Sequence, residues 1–269
     1  MLLLLNTTKT MNLNASVPKH LKTTEPSQLE KARFLAEKVF RMRRSQLADL
    51  MSLSDKLADE TIANAALWGL DGRPKIPALF GFTGLVYKNL DAISLDEFQL
   101  EYAQKKLRIL SGLYGVLRPF DRIEAYRLEM GHKLGVGKAK NLVAFWKKIL
   151  TSVLNKDLKV GEPVISMAAQ EYNKALDQKK LKGPVIFPVF KEQHKNGSFK
   201  TVVVHAKKAR GELMRYALMH KAQTPLDLMG FNALGWKAAQ EPPDSGSWLF
   251  SRPVTHNSSE QTLQNDKLS

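Results

Sequence analysis

Two short runs of sequence hold residues suited to gripping a phosphate, and a third set holds acid–base groups. The first is Leu107-Arg108-Ile109-Leu110-Ser111-Gly112-Leu113-Tyr114-Gly115-Val116-Leu117-Arg118-Pro119. It reads as a helix ending at a glycine, then an apolar residue, then a second glycine opening the next turn. That is the outline of a helix-hairpin-helix, although its glycines are three apart where two is usual. Glycines let backbone N–H groups approach a phosphate, and the next helix N-terminus favours the anion. Ser111, Gly112, Gly115 and Arg118 are therefore candidate DNA contacts. A capped helix followed by an ordinary turn would give the same pattern.

The second run is Ala206-Lys207-Lys208-Ala209-Arg210-Gly211-Glu212-Leu213-Met214-Arg215-Tyr216. A helix expected over 207–221 puts Lys207, Lys208 and Arg210 in its first turn. Cations there oppose the helix dipole at a cost of a few tenths of a kcal/mol each. Such placement suits an anion site, with Arg215 one to two turns further on. A basic surface helix that starts a turn earlier would explain them as well. The third set is Tyr126, Arg127 and Glu129 in one run and Glu171 in another. Together with Lys9 and Arg210 these are the candidate catalytic residues of a nucleotide pocket. Taken singly, each is compatible with an ordinary structural ion pair.

Other chemistries find no support. The chain has 269 residues and no cysteine, which excludes disulfides and thiolate metal sites. No two of its six histidines stand three or four residues apart, so no metal site and no cofactor is expected. There is no Walker loop, Rossmann glycine fingerprint or nucleophile elbow.

The elements that must position these residues follow from periodicity. Helices are expected from Leu29 to Val39, over 45–52, and from Ser54-Asp55 toward Trp68. A capping box at Ser94–Glu97 starts another, expected to end at Ser111-Gly112. Residues 141–154 give an amphipathic helix. Strands are expected at Met1–Leu5, Pro163–Ala168, Pro184–Lys191 and Ser198–His205, the last two joined as a hairpin through Asn196-Gly197. This order predicts an α+β fold, a mixed β-sheet flanked by helices. Residues 1–240 read as one domain and 241–269 as a loosely structured tail. Leu142, Trp146, Ile149, Val153, Ile165, Met167, Phe190 and Val203 are expected in the core.

The formal net charge is +15, and it is unevenly placed. Residues 131–221 hold 19 basic and 6 acidic side chains. Such a bias suits a surface that faces a polyanion, or a solvated lysine-rich face. No segment approaches the roughly 20 apolar residues needed to span a bilayer. No membrane partner is expected, and the cytoplasm is the expected location.

Several runs then combine in one order: Ser54-Asp55-Lys56-Leu57-Ala58, Leu107 to Asp121, Ala125-Tyr126-Arg127-Leu128-Glu129-Met130-Gly131, Phe145-Trp146, Glu171-Tyr172, Pro188-Val189-Phe190 and Ala206 to Gly211. Over residues 1–236 the chain resembles the bacterial peroxide-stress protein YaaA family. The resemblance implies a fold peculiar to that family, a helix-hairpin-helix element and a basic cleft. It also implies DNA binding and a cytosolic role in limiting oxidative damage, linked to lower free iron. Three polar positions depart from the family pattern. The family's Ser-Pro-Ala-Lys-Thr is here Asn6-Thr7-Thr8-Lys9-Thr10, an acidic position is Leu85, and the Ala-Ser before Glu-Tyr is Ala168-Ala169. The changes favour binding over catalysis. The leading expectation is a monomeric protein that binds double-stranded or branched DNA without sequence preference. The alternative is an enzyme acting on a nucleotide or nucleobase.

Overall fold

A computed structural model describes residues 1–254. The first strand, β1 (Leu2–Asn6), is a run of leucines that is buried on both faces, as a central strand of a parallel sheet must be. Helices α1 (Leu29–Phe40), α2 (Arg44–Met51) and α3 (Asp55–Leu67) follow, close to the expected bounds. Strand β2 (Ile76–Pro77) and two short helices, α4 (Ala78–Gly81) and α5 (Leu85–Leu90), lead to α6 (Glu97–Lys106). The cap of α6 is Asp96, whose side chain accepts from the Gln99 backbone N–H at 2.8 Å.

The chain then departs from expectation. Residues 107–117 form no helix-hairpin-helix but a β-hairpin, β3 (Leu107–Ser111) and β4 (Gly115–Leu117). Leu107, Ile109 and Leu110 suit a helix or a strand by pattern. Pairing with β1 from Leu3↔Leu107 to Asn6↔Leu110 decides for the strand.

Strand β5 (Arg122–Ile123) pairs with β2 apart from the main sheet. Helix α7 (Leu142–Asp157) is capped by Asn141, and Leu142, Trp146, Leu150 and Leu154 form its buried stripe. Strand β6 (Val164–Ser166), helix α8 (Gln170–Asn173), β7 (Val185–Gln193) and β8 (Phe199–Lys200) come next. The hairpin through Asn196-Gly197 forms, but β8 is only two residues long. Helix α9 starts at Val203 and runs to Met219, so Val203 is 62% exposed rather than in the core.

Strands β9 (Lys237–Ala238) and β10 (Gly246–Pro253) complete the sheet. The segment after 240, expected to be loose, thus supplies a strand that pairs with β7 over eight residues and buries Trp248 and Phe250. Aromatic burial outweighs its Pro242-Pro243 and glycine content. The expected fraying past Val254 lies outside the described residues.

The main sheet runs β4-β3-β1-β6-β7-β10-β9, with β8 on β7. Strands β3, β1, β6, β7 and β10 are parallel and the others antiparallel, so the fold is α+β with a mixed sheet. The chain moves from β1 out to β3 on one side and later to β6 on the other. The carboxyl end of β1 is therefore where the strand order reverses, the place at which open sheets form a crevice. No helix among the described residues is long and apolar enough to cross a membrane.

Candidate functional site

The residues that follow β1, β3 and β6 meet at that crevice. Thr7 continues β1, its Oγ1 3.0 Å from the Tyr172 hydroxyl. Ser111 ends β3, and its Oγ accepts from the Leu113 and Tyr114 backbone N–H groups at 3.1 and 2.9 Å. Both lone pairs being committed, Ser111 donates its own proton to the Tyr126 oxygen at 2.7 Å. Two hydroxyl pairs, Ser111–Tyr126 and Thr7–Tyr172, thus stand at the ends of β3, β1 and α8. Burial pushes the phenols of Tyr87, Tyr126 and Tyr172 up, so all three stay neutral donors at physiological pH.

Charged groups rim these hydroxyls. Lys9 Nζ stands 3.2 Å from Glu129 Oε2. The Glu129 backbone N–H donates to His132 Nδ1 at 3.2 Å, so the imidazole carries its proton on Nε2, 3.8 Å from Glu129 Oε2. Burial lowers the His132 pKa, and the cations Lys9 and Arg127 add to the effect against the pull of Glu129. Glu171 stands beside Gly131. Lys9, Tyr126 and Arg127 line one cavity of about 270 Å³. Arg210 lines another of about 560 Å³, beyond α8. Of the catalytic candidates, Lys9, Tyr126, Arg127 and Glu129 come together, and Glu171 borders them. Two of the altered positions border the same strand end. The Ala169 N–H donates to Asn6 Oδ1 at 2.8 Å, and Leu85 follows Gly84, whose N–H points to Thr8 Oγ1.

The DNA candidates scatter. Ser111, Gly112 and Gly115 are buried, so the glycine turn presents no donors to a backbone phosphate. Gly112 is there for a close approach: a Cβ would stand 2.4 Å from the Leu128 carbonyl oxygen. Arg118 pairs with Asp121 at 3.5 Å, past the far end of the hairpin from that turn. Arg215 bonds the Leu90 and Asp91 carbonyl oxygens at 3.1 and 3.0 Å and so caps α5. The early start of α9 moves Lys207 and Lys208 out of its first turn, which removes the dipole argument for them. Both remain exposed and without an ion pair among the described residues. Arg210, near them in sequence, turns inward.

Sequence reasoning missed the role of Thr7, Tyr172 and His132. Tyr172 stands next to Glu171, and that adjacency was the available signal. Thr7 lies in the run that departs from the family's Ser-Pro-Ala-Lys-Thr, but its place beside Tyr172 comes only from the parallel pairing of β1.

Comparison with known proteins agrees with the sequence resemblance. The family model described as "Peroxide stress protein YaaA" matches residues 1–241. A UPF0246 protein of Flavobacterium johnsoniae is 45% identical over 254 residues, covering 94% of this chain and 100% of that protein. UPF0246 proteins of Marinomonas sp. and Neisseria meningitidis serogroup A are 38% and 37% identical over 252 and 246 residues. These matches cover 93% and 90% of this chain, and 96% and 95% of the two relatives. The chain belongs to the peroxide stress protein YaaA family.

Proposed function

We propose that this family member acts in the cytoplasm during peroxide stress by binding DNA, as a monomer and without sequence preference, and so limits oxidative damage. One observation supports the reading above others. Of the 19 basic residues between 131 and 221, only Lys180 and Arg215 form an ion pair among the described residues. An unneutralised field of this kind attracts a polyanion. In this reading the contact falls to exposed lysines, Lys207 and Lys208 among them, and not to the buried Ser111–Gly115 turn. Titration of unrelated duplexes and of a branched junction at about 50 and 200 mM salt tests it. Affinity should fall by orders of magnitude across that range, alike for all sequences. Salt-indifferent binding, or binding to one sequence only, would overturn it.

A second reading has its own support, the Lys9–Glu129 pair beside two hydroxyl pairs at a strand-order reversal. It makes the crevice an enzyme site for a nucleotide or nucleobase, with Lys9 and Glu129 as the proton-transfer pair. Incubation with nucleosides and nucleoside monophosphates, followed by product analysis, tests this. Turnover that is lost in Glu129→Gln supports it, and absence of any product removes it.

A further inference from the structure

Strand β7 is longer than its neighbours on one side. Strand β6 pairs only with Val185 and Ile186, and β8 only with Glu192 and Gln193. The stretch between them has no strand partner on that edge, and Pro188 within it has no N–H to offer. Helix α8 and the chain after it bridge the gap without filling it. What remains is the 560 Å³ cavity, within the range of about 300–1,000 Å³ typical of small-molecule sites.

Its lining has an unusual charge balance. Lys147 from α7, Lys174 after α8 and Arg210 from α9 all face it, and no carboxylate does. None of the three forms an ion pair among the described residues. Arg210 is the most informative. Its Nε is buried without a hydrogen-bond partner. Burial lowers its pKa, and the one carboxylate that opposes this, Glu171, is not in contact. A partly buried cation without an ion-pair partner is desolvated at a cost that an incoming counter-charge would offset. Phe187 and Leu176 add an apolar wall.

We propose that this cavity binds a phosphomonoester on a small, partly apolar molecule, the phosphate meeting Arg210, Lys147 and Lys174 and the rest lying against Phe187. A phosphomonoester carries about −1.5 to −2 at pH 7, enough to answer three cations lining one cavity where a carboxylate would not. The inference does not rest on DNA binding, since Lys207 and Lys208 do not line the cavity. The chemistry has two sources, a free nucleotide or the phosphorylated end of a DNA strand.

Isothermal titration of the full chain with a nucleoside monophosphate, the matching nucleoside and short 5′-phosphorylated and 5′-hydroxyl oligonucleotides separates them. The monophosphate should bind and the nucleoside should not. Arg210→Gln should weaken binding at least tenfold, and Lys147→Ala with Lys174→Ala several-fold. The lysines are exposed, so the double variant keeps its fold whatever Arg210→Gln does. Preference for the free monophosphate assigns the site to a small molecule, and preference for the phosphorylated strand end assigns it to DNA termini. Equal affinity for monophosphate and nucleoside, or a double variant that binds like the parent, would overturn the proposal.

Discussion

Trp146 donates its indole N–H to the Gly112 carbonyl oxygen at 2.9 Å, from α7 into the turn between β3 and β4. The same ring fills the space beside Gly115, where a Cβ would stand 2.5 Å from it, and Gly115 has φ +73°. The two glycines of the Leu-Ser-Gly-Leu-Tyr-Gly run therefore serve packing. Gly115→Ala should cost about 2–4 kcal/mol, the sum of left-handed strain and overpacking. Trp146→Phe should cost about 1–3 kcal/mol by leaving a buried carbonyl without its donor. Urea unfolding reads both, and DNA affinity of the folded variants should stay at the parent value.

Two arginines of α9 should respond in opposite directions. Arg215→Ala removes the cap on α5 and its 2.6 Å bond to Ser94 Oγ, and should lower the melting temperature by several degrees. Arg210→Met replaces a half-buried cation, whose Nε is buried without a partner, with an apolar chain of similar length, and should raise it by about 2–4 °C. Thermal scans without added phosphate check the signs.

His132 sets a pH dependence. Its folded pKa lies below the usual 6.5, so the unfolded chain takes up the proton first. The stability it contributes is complete above that value and is lost as pH falls through the folded pKa. The melting temperature should drop between pH 7.5 and 5.5. The drop should be smaller in His132→Asn, and an equal drop would place the titrating group elsewhere.

The neutral crevice tyrosines set a limit at the other end. Tyr87, Tyr126 and Tyr172 all have raised values, so their contribution holds below about pH 10 and fades as pH rises through their folded values. Tyr126→Phe should shift the alkaline unfolding midpoint upward by removing one buried ionisable group, as circular dichroism against pH would show.

Much of the frame was legible in the sequence because it is local. The stripe of α7 and the four leucines of β1 each carry their own pattern. Leu107–Leu110 misled because a short apolar run fits either period, and the partner that decides it, β1, is a hundred residues away. Arg215 read as a free cation because the Leu90 carbonyl reaches it only through the fold, whereas the partner of Arg118, Asp121, stood three residues on and went unused. The gap along β7 had no sequence signal at all. It arises from unequal strand lengths, and with it came the meeting of Lys147, Lys174 and Arg210.

The measurement closest to the central claim is the salt slope of duplex binding for the parent and for Lys207→Ala with Lys208→Ala. Both lysines are exposed and unpaired among the described residues, so the fold should be indifferent to their loss. Log K should fall linearly with log salt in both proteins. The variant's slope should be shallower by up to about 1.8, two phosphate contacts at roughly 0.9 each. Parallel lines of equal slope and intercept, or a parent that fails to bind at low salt, would contradict a lysine face that holds DNA.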